Sequence, residues 1–210
     1  MRYVIILLFL LVVGCANPTS SLVPLTGDVA SGLEGQIVGE WQLTSAKPNR
    51  ERRPIVSFGT LDDIVAAISA ETASRYKLTL QREDSAVSFN LTVCEIDNSL
   101  YVDLQHPPIH DAAIAGTTLR PHFFAKCTID DNQIRLIGCD GPRFKEILQA
   151  EKLPFVEVDS AVVFTGTSDQ LREVIRQNSN DLFRAGTGDL ILTSRRAGGS
   201  DNHAVNGSRR

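Results

Sequence analysis

The sequence predicts a mainly β protein: an antiparallel barrel of about eight or nine strands with two or three short helices. Three observations lead there. Apolar and polar residues alternate through most of residues 36–196, the period of strands with one buried face. The alternating runs are short and separated by turn residues. Many short antiparallel strands in one domain also create edges, and closure into a barrel removes them.

The first run is Ile37, Gly39, Trp41 and Leu43, alternating with Glu40, Gln42 and Thr44. Next, Thr60-Leu61-Asp62-Asp63 has the cap and acidic first turn of a helix, Asp62–Ala70, with Ile64, Ala67 and Ile68 on one face. Tyr76, Leu78 and Leu80 then mark a strand, as do Val87, Phe89, Leu91 and Val93, and Leu100, Val102 and Leu104. Asp97-Asn98 suits the tight turn between the last two, because Asp and Asn tolerate positive φ.

A hairpin about Asp131-Asn132 has a self-consistent register. With Asp130 opposite Gln133, Cys127 faces Leu136 and Ala125 faces Gly138. One face then collects Phe123, Ala125, Cys127, Ile129, Ile134 and Leu136. The other collects His122, Lys126, Thr128 and Arg135, with Phe124 as the exception. A slip of one residue would mix the two sets.

Asp140 can cap a helix, Asp140–Ala150, with Phe144, Ile147 and Leu148 as its stripe. Phe155–Val158 and Ala161–Thr165 form a hairpin about Asp159-Ser160. Thr167 and Gln170 fit a capping box for a helix over Asp169–Gln177, striped by Leu171, Val174 and Ile175. A last strand runs from about Asp189 to Arg195.

The chain ends differ from this middle. Met1-Arg2-Tyr3 carries one positive charge, Val4 to Val13 is unbroken apolar sequence, and Gly14-Cys15 follows. That order is a secretory signal, too short for a transmembrane helix, which needs about 20 apolar residues. Val12-Val13-Gly14-Cys15 resembles the lipobox of bacterial lipoproteins. The resemblance implies cleavage between Gly14 and Cys15, lipid on the Cys15 thiol and a membrane as partner. It also implies a place in the cell envelope. Ala16 stands where an aspartate would signal inner-membrane retention, so the implied site is the outer membrane, facing the periplasm, if the organism has one. The organisation expected is a signal peptide over 1–14, a lipidated flexible tether over 15–35, a barrel over 36–196 and a disordered tail over 197–210.

The leader carries one charge, Arg2, so the 21 basic residues of the whole chain become 20 against 25 acidic ones, a net of −5. Without a clustered basic face, nucleic acid is not an expected partner. Besides Cys15 the chain has Cys94, Cys127 and Cys139, and no CxxC pair. The odd number leaves disulfide pairing open. Cys127 alternates with core residues and should be buried.

Gly39-Glu40-Trp41 resembles the G-x-W motif of lipocalins, in which the tryptophan plugs one barrel end and a late arginine packs across it. The helix before the last strand and Arg195-Arg196 after it are similar to that family. If the last strand stays regular, Arg196 continues the face of Leu190 and Leu192 and approaches Trp41, a structural role. The segments YKLTL, LYVDLQ, HFFAKCTI, IRLIGCD, TSDQLREVI and LILTSRR also resemble, in order, a group of small bacterial lipoproteins. That likeness spans about Tyr76 to Arg195 and implies no activity.

Candidate chemistry is sparse. His106, His110 and Asp111 could contribute to a metal site, but Pro107 and Pro108 forbid a regular helix, so the plainer reading is a surface loop. No serine sits in a G-x-S-x-G elbow. Asp140 as a cap occupies the anion site that its helix would offer. No cofactor and no catalytic residue is indicated. The function expected is a membrane-anchored envelope lipoprotein that binds a small apolar ligand or lipid, or supports an envelope partner. The alternative is an envelope enzyme with an unrecognised site. A filled barrel favours the partner role and an open apolar cavity the carrier.

Overall fold

Eight strands close on themselves in the computed structural model of the chain, which describes residues 19–30, 32–45, 64–105, 120–158, 161–185 and 189–195. In chain order the elements are β1 (Thr19–Ser21), β2 (Asp28–Val29), α1 (Glu34–Ile37), β3 (Gly39–Ser45), β4 (Val65–Ala70), β5 (Arg75–Arg82), β6 (Ser85–Ile96) and β7 (Ser99–Gln105). Then come β8 (His122–Asp130), β9 (Gln133–Gly138), α2 (Gly141–Ala150), β10 (Phe155–Val158), β11 (Ala161–Phe164), α3 (Ser168–Leu182) and β12 (Asp189–Ser194). The barrel is a meander from β3 to β9, completed by β12, which pairs with β9 on one side and β3 on the other.

Alternation decides which side chains enter it. On β5 Tyr76, Leu78 and Leu80 are buried between exposed or half-buried neighbours. The Asp97-Asn98 turn has positive φ at both residues, 47° and 58°, the twist that suits a two-residue hairpin. The β8–β9 register is the one the sequence selects: Asp130 opposite Gln133, Cys127 opposite Leu136, Ala125 opposite Gly138. Outside the β9–β12 seam, the Arg135 guanidinium pairs with the buried Asp189 carboxylate, its Nε donating at 3.0 Å.

The chain between β9 and β12 builds a second layer. Helices α2 and α3 and the β10–β11 hairpin cover the outer side of the barrel near β7 and β8. A separate apolar core forms there, with Phe144, Leu148, Phe164, Leu171, Ile175 and Leu182 all fully buried. Both caps form as the sequence predicts. Asp140 accepts from the Arg143 N–H, and Thr167 and Gln170 complete a capping box.

Two expectations are corrected. Val65–Ala70 is strand β4, not the second half of a helix over Asp62–Ala70; residues 60–63 lie outside the described residues. Ile64, Ala67 and Ile68 fit a helical face, but Ala66 and Ile68 equally fit a strand face. Pairing with both β3 and β5 decides for the strand, where Ala66 and Ile68 point inward.

The supposed tether is also structured from Thr19 onward. Strand β1 is buried and lies between β8 and β11. Leu25 and Ala30 are buried, β2 pairs with β6, and α1 leads into β3. Gly27 permits this approach, since a Cβ there would meet the Glu95 carbonyl at 2.6 Å. The segment shows no period because most of it is an irregular strap held at separate points: Thr19–Ser21 by β11, the Leu25 N–H by Asp103 and Asp28–Val29 by β6.

Candidate functional site

The outer side of the β7–β8 pair gathers the polar chemistry nearest the protein's second core. Alternation turns Leu100, Val102 and Leu104 inward, which sends Tyr101, Asp103 and Gln105 out. On β8 it turns out His122, Phe124 and Lys126. The register sets Tyr101 beside Lys126, Asp103 beside Phe124 and Gln105 beside His122. Phe124 therefore divides two polar groups. Its ring packs against Phe144 of α2 and against Phe183, with centroids 5.7 and 6.5 Å away.

At one end Asp103 is buried, with 4% of its surface exposed. Its Oδ2 accepts the Leu25 N–H at 2.8 Å. The His122 Nδ1 lies 2.9 and 3.0 Å from its two oxygens, so Nδ1 is the nitrogen that donates. In the neutral ring Nε2 is then an acceptor, and the Gln105 amide at 2.9 Å supplies the donor. An aspartate orienting a histidine is two-thirds of a hydrolytic triad. Here the far nitrogen meets an amide where a triad has a nucleophilic hydroxyl. Ser21 pairs with His122 through the backbone, but its Oγ accepts from the Val23 N–H at 3.0 Å. What the arrangement does is hold the strap from Ser21 to Leu25 against the barrel wall.

At the other end Lys126 Nζ donates to Ser179 Oγ at 3.2 Å, and the Tyr101 hydroxyl lies 2.8 Å from the same oxygen. Burial pushes the Tyr101 phenol above its ordinary value. Serine–lysine pairs do serve as nucleophile and base in some hydrolases. A base must accept the serine proton, whereas in this contact Nζ stands as donor to the serine oxygen, which the Tyr101 hydroxyl also meets. The contact as arranged ties the end of α3 to the barrel.

The sequence-predicted residues are distributed as follows. Trp41 points into the barrel, 3% exposed, and its indole Nε1 donates to the Ile37 carbonyl at 3.0 Å. Ile37 is thus the last residue of α1 instead of the start of the first barrel strand. Strand β3 does meet β12, and Trp41 pairs with Ser194. Arg195 is half exposed, 3.9 Å from Glu40. Gly14, Cys15, His106, His110, Asp111 and Arg196 lie outside the described residues, as does 197–210. Among the described residues no three His, Cys, Asp or Glu side chains are placed to hold a metal ion, and no helix is long and apolar enough to cross a membrane.

Cys94, Cys127 and Cys139 are buried thiols. Cys127 faces inward as expected, and burial pushes its thiol up to about 12. Cys94 is also pushed to about 12, by burial first and then by the Asp103 charge. Such thiols are poor nucleophiles.

Neither polar group was found by sequence reasoning. A strand with one buried face predicts that Asp103, His122 and Lys126 meet water. Asp103 is instead buried and His122 and Lys126 are half-buried; the signal was Phe124, the one aromatic residue on that face of β8. No protein-family model, curated protein or solved structure matches the chain.

Proposed function

We propose that this chain is a lipid-anchored protein of the bacterial envelope whose barrel is a rigid support for another envelope component. The observation that carries the reading is the state of the barrel interior. Inward residues of all eight strands, from Trp41 and Leu43 through Leu78, Phe89, Val102 and Ala125 to Leu136 and Leu192, form one contiguous buried cluster. Side chains lining an open cavity would keep water-accessible surface; the buried members of this cluster retain 6% or less, and Val87, Leu100, Phe123 and Ile129 pack partly buried against them. An eight-stranded barrel is just wide enough for its own side chains to fill. That arrangement disfavours a carrier of small apolar ligands and leaves the outer surface as the working part.

The anchor rests on the sequence: a basic start, a ten-residue apolar run and Val12-Val13-Gly14-Cys15. Each acyl methylene contributes about 0.8 kcal/mol, so two or more chains on Cys15 would hold the domain at a membrane firmly. Ala16 favours the outer membrane in a cell that has two. The G-x-W motif and the meander favour kinship with lipocalins.

Cys15→Ser tests the anchor. The variant should fail to incorporate palmitate and should remain as precursor; a mature, membrane-bound, palmitate-labelled variant would sink the reading. Native mass spectrometry of the solubilised protein tests the support role. The mass should be that of the lipidated chain alone, and a retained small molecule would restore the carrier reading.

A further inference from the structure

We propose that the outer face of the β10–β11 hairpin rests on the lipid surface that holds the anchor. The proposal rests on the lipoprotein reading above, and it follows from how little chain separates Cys15 from the folded domain.

Strand β1 starts at Thr19, four residues after Cys15. Four extended residues span at most about 14 Å. A lipid on Cys15 would therefore keep β1 within that distance of the headgroups. Strand β1 pairs with β11, and β11 with β10, which ends the sheet as an edge strand. Neighbouring strands lie about 4.8 Å apart, so β10 is only about 10 Å from β1. The register puts Ser20, Val163 and Val156 in one row, and exposure rises along it: Ser20 is buried, Val163 half-buried and Val156 exposed, so the open part of this face is β10.

The two faces of this small sheet differ. Val162 and Phe164 are buried in the second core. In their rows Phe155 packs on that core and Glu157 reaches Lys145 of α2 at 2.8 Å. Val156 and Val158 alternate with these and point the other way. They are 48% and 55% exposed, two of the four large apolar side chains most exposed among the described residues. An apolar pair on an edge strand is an aggregation hazard in water. Held against lipid, the same pair gains an apolar environment. The mature chain's net negative charge offers an anionic surface no attraction, so the contact is one of apolar insertion and tethering that added salt should not release.

The buried native thiols allow a selective test. Full-length chains carrying Val158→Cys or Ala67→Cys would be labelled with a nitroxide and reconstituted, lipidated, into vesicles of equal parts phosphatidylethanolamine and phosphatidylglycerol. Ala67 is exposed on β4, on the wall opposite β8. Accessibility to oxygen, relative to a water-soluble nickel chelate, should rise several-fold at position 158 and keep its solution value at 67. Unchanged values at both, with a diacylglyceryl mass on Cys15, overturn the proposal and leave the anchor intact. A chain without lipid mass that does not attach overturns the anchor reading and this contact with it. Shielding of position 158 that grows with protein concentration and needs no vesicles assigns the face to a second copy of the chain, which also overturns the proposal.

Discussion

The Nδ1 of His122 donates to Asp103, 2.9 Å away on the neighbouring strand, and the same carboxylate holds the Leu25 backbone 78 residues earlier in the chain. Neither partner is near the other in sequence, yet together they close the N-terminal strap over the barrel. Asp103→Ala would leave the Leu25 N–H and the imidazole without their acceptor. Hydrogen bonds to a charged group contribute about 1.5–3 kcal/mol each, so the variant should lose about 3 kcal/mol or more. Asp103→Asn keeps one acceptor oxygen and should lose less. Urea unfolding measures both, and an unaltered midpoint for Asp103→Ala would show that the strap is held elsewhere.

The buried thiols predict alkaline sensitivity. In the folded chain Cys94 and Cys127 keep their protons up to about 12, against an ordinary value of 9.0. Between those values the unfolded chain releases protons that the folded chain retains. The folded state then binds more protons, so stability falls as pH rises through that window. The slope is at most about 1.4 kcal/mol per thiol per pH unit. Cys127→Ala should flatten the fall in denaturation midpoints above pH about 9. An equally steep profile in that variant would assign the titration to other groups.

Trp41 predicts a stability effect confined to one barrel end. Replacing a buried tryptophan by alanine costs about 3–5 kcal/mol. Trp41→Phe retains most of the buried ring and loses the hydrogen bond to Ile37, so it should cost less. If the two variants melt together, burial at this site is not what stabilises the barrel.

Ser179 separates the structural reading of the Lys126 cluster from an enzymatic one. Ser179→Ala removes the oxygen that both Tyr101 and Lys126 use, and should cost about 1–2 kcal/mol. The native protein should form no covalent adduct with a fluorophosphonate at this serine. An adduct that is lost in Lys126→Ala would identify a catalytic pair and restore the envelope-enzyme alternative.

Much of the barrel was legible because the relevant patterns are local. The β8–β9 register follows from six apolar residues that share a face only in one alignment. The caps at Asp140 and Thr167 need residues no more than three positions away. The inward direction of Trp41 follows from its alternation with Glu40 and Gln42.

The other assignments depended on contacts across the fold. Ile64-Val65-Ala66-Ala67-Ile68 satisfies a helical and a strand face equally, and the flanking strands β3 and β5 select the strand. The outward residues of β7 and β8 read as solvent-facing until α2 and α3 cover them. The strap from Thr19 to Ala30 has no period because it is held in turn by β11, by Asp103 of β7 and by β6. Alternation and capping are written within a few residues, so the barrel's inner face is legible locally. The outer face became a second core through contacts between segments far apart in the chain: the stripes of α2 and α3 and the outlying Phe124 mark apolar faces locally, but not which of them meet.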